Sequence, residues 1–136
     1  MEKKLIYFLW VISVFMTACH YQEDKLVIIN NSQNAICYET LIKKGTTYFE
    51  GSAGGKIGIK SSDSPAVRGS IASTIRKYSS DMILYVVYYR CKDADFIYRN
   101  TNFIVNDKRF KVDKYSLKEL DSINWVIRYP RFSAMK

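Results

Sequence analysis

The chain is short of histidine, cysteine and proline, and each shortage closes off a class of chemistry. His20 is its one histidine, and it stands beside Cys19, ahead of the segment expected to fold. That segment therefore has no imidazole for a Ser-His, Cys-His or metal-His centre. Cys19, Cys37 and Cys91 are too few for a dense disulfide framework and lack the close ligand spacing of a zinc site. No metal and no cofactor are expected. Only two prolines occur, which fits a folded domain rather than a low-complexity chain. The apolar run Leu5 to Met16 is about 12 residues and Met82 to Tyr89 is shorter, whereas spanning a bilayer as a helix takes about 20. Ala53-Gly54-Gly55-Lys56 lacks the Gly-x4-Gly-Lys-Ser/Thr spacing of a phosphate loop. Asp93-x-Asp95 is too short and too lightly charged for a calcium loop.

Catalysis would have to rest on a carboxylate pair drawn from Asp63, Asp81, Asp93, Asp95, Asp107, Asp113, Glu119 or Asp121. Most of these sit at turns or helix starts, where they have local structural work. The expectation is a protein that is not an enzyme. A small carboxylate-based hydrolase is the outlying alternative.

What the chain does have begins at its start. Lys3 and Lys4 precede the apolar run, and Met16-Thr17-Ala18-Cys19 closes it. That order is a secretory signal with a lipidation site at its end. It resembles a bacterial lipoprotein signal peptide, with Met16 where the usual pattern has Leu. The resemblance implies cleavage after residue 18, a lipid on Cys19, and residence at the outer membrane, facing the periplasm or the cell surface. The expected organisation is a leader over 1–18, the lipidated cysteine and a polar tether over 19–25, one β-rich domain over 26–130 and a tail over 131–136. In an oxidising compartment Cys37 and Cys91 form an even pair for which a disulfide is permitted, with two buried thiols as the alternative.

Net charge is +8. The leader holds only +1 of it (Lys3 and Lys4 against Glu2), so the remainder is about +7. Such a surface attracts polyanions over a range set by salt. Nucleic acid is an improbable partner for an exported protein, which leaves an anionic glycan or another envelope protein; the contact residues cannot be named from sequence.

The 11 tyrosines and several β-branched runs favour strands. Leu26 to Ile29, the polar Asn30 to Asn34 and Ala35 to Lys43 read as a hairpin. In its second strand Ile36, Tyr38, Thr40 and Ile42 fall on one face, and Cys37, Glu39, Leu41 and Lys43 on the other. Gly45 to Gly55 holds four of six glycines and reads as loop. Lys56 to Lys60 reads as a half-buried strand with Ile57 and Ile59 inward, followed by a loop over Ser61 to Gly69. Ser70 caps a short helix, Ile71 to Lys77. Met82 to Tyr89, apolar on both faces, belongs in mid-sheet. Phe103 to Val105, a turn at 106–109 and Phe110 to Val112 read as strand, turn, strand. Ser116 and Glu119 form a capping box for a helix to about Ser122, and Trp125 to Tyr129 is a last strand ended by Pro130. The fold class that follows is mainly β, an antiparallel sandwich-like domain of about seven strands with two short helices. The alternative is a single antiparallel sheet with helices on one face.

Lys114-Tyr115-Ser116-Leu117-Lys118-Glu119-Leu120 and Asn124-Trp125-Val126-Ile127-Arg128-Tyr129-Pro130 are similar to the ending of small Bacteroides-type lipoproteins of unknown function. Those also open with an apolar strand running into Asn-Asn-Ser, as Ile28 to Ser32 does here. The resemblance brings no activity with it. The expected role is a lipid-anchored binding or interaction module, with an accessory or protective (inhibitor-like or immunity-like) subunit of an envelope complex as the alternative.

Overall fold

The computed structural model describes residues 26–67, 69–99, 102 and 105–131. The expected leader over 1–18, Cys19, the expected tether, Phe103, Ile104 and residues 132–136 of the expected tail lie outside them. Seven strands are present among the described residues: β1 (Val27–Asn30), β2 (Ile36–Lys44), β3 (Thr47–Ile57), β4 (Ser61–Asp63), β5 (Ile83–Tyr89), β6 (Lys111–Ser116) and β7 (Val126–Tyr129). Three short helices of six residues or more join them among the described residues, α1 (Ile71–Tyr78), α2 (Ala94–Arg99) and α3 (Leu117–Ser122), with a 3-10 turn at Cys91–Asp93. The strands form two sheets, a small one in the order β4-β1-β7 and a larger one in the order β3-β2-β5-β6. The fold is mainly β and sandwich-like, as expected, with one more helix than the sequence suggested.

Strand alternation decides what lies on each side of the large sheet. Ile36, Tyr38 and Ile42 of β2, with Leu84, Val86 and Tyr88 of β5, face the small sheet and meet Ile28, Ile127 and Trp125. Helix α1 adds Ile71 and Ile75 to that core, and α3 adds Leu120. Each fully buried aliphatic side chain contributes roughly 1.5–3 kcal/mol. The opposite face carries Cys37, Leu41, Tyr85, Val87 and Tyr89, covered by Ile97 of α2 and by Phe110. Strand β5 is apolar on both faces because both are covered, and it lies between β2 and β6.

Several local expectations are corrected. β1 and β2 are not a hairpin: β1 pairs with β4 and, in parallel, with β7, whereas β2 pairs with β3 and β5. The polar segment between them carries the chain from one sheet to the other, and its composition is the same in either role. Gly45 to Gly55 is not loop, since β3 runs through most of it. Two of its glycines serve close packing: a Cβ on Gly54 would strike the Tyr38 carbonyl and the Glu39 carboxylate, and one on Gly55 would strike Asp63. The register slips here, between Tyr38 and Leu41 of β2. Ile57 is buried as expected, but Ile59 is 55% exposed, because the chain turns at Ile59–Lys60 and returns as β4. Val105 lies in a turn rather than a strand, and β6 starts at Lys111 and continues to Ser116.

Trp125 precedes β7 instead of opening it. It adopts φ 59°, which a bulky residue accepts only when its surroundings hold it there. Its N–H donates to the Leu120 carbonyl (2.8 Å) and its indole N–H to Asp121 (2.7 Å). The capping box is complete. The Glu119 N–H donates to the Ser116 hydroxyl (3.2 Å) and the Ser116 N–H to the Glu119 carboxylate (2.8 Å). Ser116→Ala should therefore cost about 1 kcal/mol. Denaturant midpoints check this, and an unchanged midpoint would show that α3 is held by Leu120 alone.

Candidate functional site

Asn30, at the end of β1, is fully buried and organises the crossing to β2. Its side-chain N–H donates to the carbonyls of Asn34 (2.7 Å) and Gly58 (3.0 Å). Its oxygen accepts from the Ser32 N–H (3.0 Å) and hydroxyl (2.7 Å). One amide thus fixes the 31–35 loop against the turn after β3, and this loop forms one wall of a groove of about 640 Å³.

The other walls come from the ends of β5, β6 and β7: Tyr88, Tyr89, Arg90, Arg109, Lys111 and Tyr129. Tyr129 is half-buried and Tyr88 and Tyr89 show only their edges, so the aromatic contribution is a narrow apolar wall, and no carboxylate lines the groove. Tyr88 packs against Tyr129 with ring centroids 4.4 Å apart and the rings tilted by 38°. The Lys111 ammonium lies 5.0 Å over the Tyr129 ring and has no carboxylate partner among the described residues. Arg109 is held from behind by Asp107 and lies 4.2 Å over the Phe96 ring. Arg90 is held by Asp93 at 3.3 Å. Both arginines are thus oriented as well as charged.

Beneath the groove the Tyr88 hydroxyl and one Asp113 oxygen are buried without meeting hydrogen-bond geometry. Burial, then the neighbouring Tyr115, Asp113 and Tyr129, hold the Tyr88 phenol far above its usual range. Burial likewise pushes Tyr115 up to about 12, with Asp113 adding and Arg131 opposing. Both phenols remain protonated donors at any ordinary pH.

The candidate carboxylates are dispersed, and most have structural partners. Asp63 accepts from the Tyr38 hydroxyl (2.8 Å), Asp81 from Tyr85 (2.7 Å) and Ser79 (2.9 Å), and Asp121 from Trp125. Asp93 and Asp107 hold the groove arginines, Glu119 completes the capping box, and Asp95 sits in the first turn of α2. Among the described residues no three His, Cys, Asp or Glu side chains gather as a metal site would require. None of the helices among the described residues is long and apolar enough to cross a membrane.

Cys37 and Cys91 are joined by a disulfide, with Cα atoms 5.0 Å apart. It ties the start of β2 to the turn after β5, next to Tyr89 and Arg90. Cys19 lies outside the described residues. Sequence reading identified none of the groove residues, although Tyr88-Tyr89-Arg90 and Lys108-Arg109-Phe110-Lys111 both set aromatic rings beside cations. What was missing was the contact between strand ends about 20 residues apart.

No family model, no curated protein and no solved structure matches the chain.

Proposed function

We propose that this protein is a lipid-anchored, non-enzymatic module of the bacterial outer membrane or cell surface, and that its groove takes an anionic glycan. The observation that carries the reading is the groove lining, in which three cations and three tyrosines converge without a carboxylate. The partly exposed Tyr129 ring and the edges of Tyr88 and Tyr89 offer apolar contact to a saccharide ring, and the acidic groups of a uronate or sulfated sugar meet the ammonium and guanidinium groups. Ser32 and Asn34 offer neutral hydrogen-bonding groups at the rim. The lipid on Cys19 and the envelope location rest on the signal-like start of the chain.

A glycan array run at low and high ionic strength tests this. Anionic oligosaccharides should bind, neutral ones should bind far less, and salt should weaken the interaction. Lys111→Glu should lower affinity about tenfold, since it replaces an attraction by a repulsion near the surface. An equal loss for Lys60→Glu, outside the groove, would show that only net charge matters. Absence of any glycan binding would move the assignment to a protein partner, as for an accessory or protective subunit.

A further inference from the structure

Three large apolar side chains stand in solvent at one end of the sandwich: Phe49 (48% exposed), Tyr78 (46%) and Met82 (43%). They come from the start of β3, the end of α1 and the residue before β5, and the fold draws them together. Ser80 donates from its N–H to the Lys43 carbonyl (2.7 Å), pinning the turn after α1 to the end of β2. Phe49 lies opposite Ile42 in the β2–β3 ladder, and Phe49 and Tyr78 share a shallow cleft of about 290 Å³. The pairing of Leu84 with Ile42 sets Met82 beside the end of β2.

Cations surround this patch. Lys43 and Lys44 end β2, and Arg76 and Lys77 occupy the last turn of α1. Two carboxylates accompany them: Glu50 on the cleft wall, and Asp81, which Ser79 and Tyr85 already engage. The balance is positive by two.

Strand direction says what lies next to this end. β2 runs from Ile36 at the groove to Lys44 at the patch. β1 runs the other way, from Val27 to Asn30 at the groove loop. Leu26, where the chain enters the fold, therefore lies on the side of Asn30 away from the groove, part-way toward the patch end, and residues 20–25 are all that separates it from Cys19. Six residues reach at most roughly 20 Å. Resting on the lipid-anchor reading above, we infer that Phe49, Tyr78 and Met82, with their rim of lysines, dock on the anionic phospholipid headgroups of the membrane that holds Cys19, so that the groove faces away from it. A short tether keeps the patch at high effective concentration over the surface, where aromatic rings favour the interface and basic side chains favour anionic headgroups.

The acylated protein is placed in vesicles of phosphatidylglycerol and phosphatidylcholine with brominated acyl chains, carrying either Phe49→Trp or Asn34→Trp. The native Trp125 is buried and supplies the background. Tryptophan at 49 should lose fluorescence to the brominated lipid, tryptophan at the groove rim should not, and Lys43→Glu with Lys44→Glu should abolish the loss. Vesicle flotation and the acyl mass on Cys19 are read on the same samples. Acylated protein that floats without quenching at 49, or with equal quenching at 34, overturns the docking alone. A chain without acyl mass that does not float overturns the anchor, and the docking with it. A crosslink from position 49 to an envelope protein, without quenching, assigns the patch to that protein instead.

Discussion

Replacing Cys37 and Cys91 together by alanine should lower the stability of the fold by about 4 kcal/mol. The bridge spans 54 positions, and in the chain-entropy model closing a loop of that size removes about that much freedom from the unfolded chain. For a domain of roughly 100 residues the loss corresponds to a fall in Tm of about 15–20 °C. The cross-link also anchors the 3-10 turn after β5, which has no buried residue of its own, to the buried start of β2. Reduction of the unaltered protein isolates the cross-link from the packing change, because both sulfurs stay in place. Denaturant unfolding with and without reductant should show the same loss as the double variant. A difference under about 1 kcal/mol would mean that the unfolded chain is already compact or that the native bridge is strained. Because Tyr89 ends β5 and Arg90 joins it to Cys91, the reduced protein should also bind groove ligands less tightly at a concentration of denaturant that leaves the sheets intact.

Raising the pH from 4.5 to 7 should destabilise the protein by about 3 kcal/mol, through Glu39 alone. This side chain sits in the middle of β2 and is 3% exposed, and neither carboxylate oxygen has a partner in full hydrogen-bond geometry. Burial, with the Glu50 carboxylate on the neighbouring strand adding to it, pushes its pKa up to about 7 from an ordinary 4.5; the nearby Gly54 and Thr40 backbone offsets only part of this. Below 4.5 the group is protonated in both folded and unfolded chains and has no effect. Between 4.5 and 7 the unfolded chain releases the proton while the folded chain keeps it, so stability falls, and above about 7 the loss is complete. Asp81 and Glu119 act in the opposite sense, since their hydrogen bonds hold them below the ordinary range. Their contributions are lost only as the pH drops below about 4, which places maximum stability near pH 4 to 4.5. Urea midpoints measured across pH should trace this descent, Glu39→Gln should flatten it, and Glu50→Gln should move it to lower pH. A flat profile for the unaltered protein would show that water or a backbone donor reaches the carboxylate.

Much of the architecture was legible because it rests on local chemistry. The two-faced pattern of β2, the doubly apolar β5, the Ser70 and Ser116 caps and the Leu120 anchor follow from strand and helix periodicity, which any neighbour of the right polarity satisfies. Charge and the shortage of histidine likewise need no coordinates to narrow the chemistry. What only the tertiary structure decided were pairings between distant segments. Asn30 to Asn34 reads as a turn whether the chain folds back or crosses to another sheet, and it crosses because β7, from the far end of the chain, takes the place beside β1. Gly54 and Gly55 read as loop residues because nothing local reveals that Tyr38, Glu39 and Asp63 press on their backbone. Glu39 looks like any outward residue of an alternating strand until the far face of the sheet is also covered. The groove follows the same rule. Its tyrosines and cations are ordinary in sequence, and they line one groove only because β5 and β7 end where β6 begins.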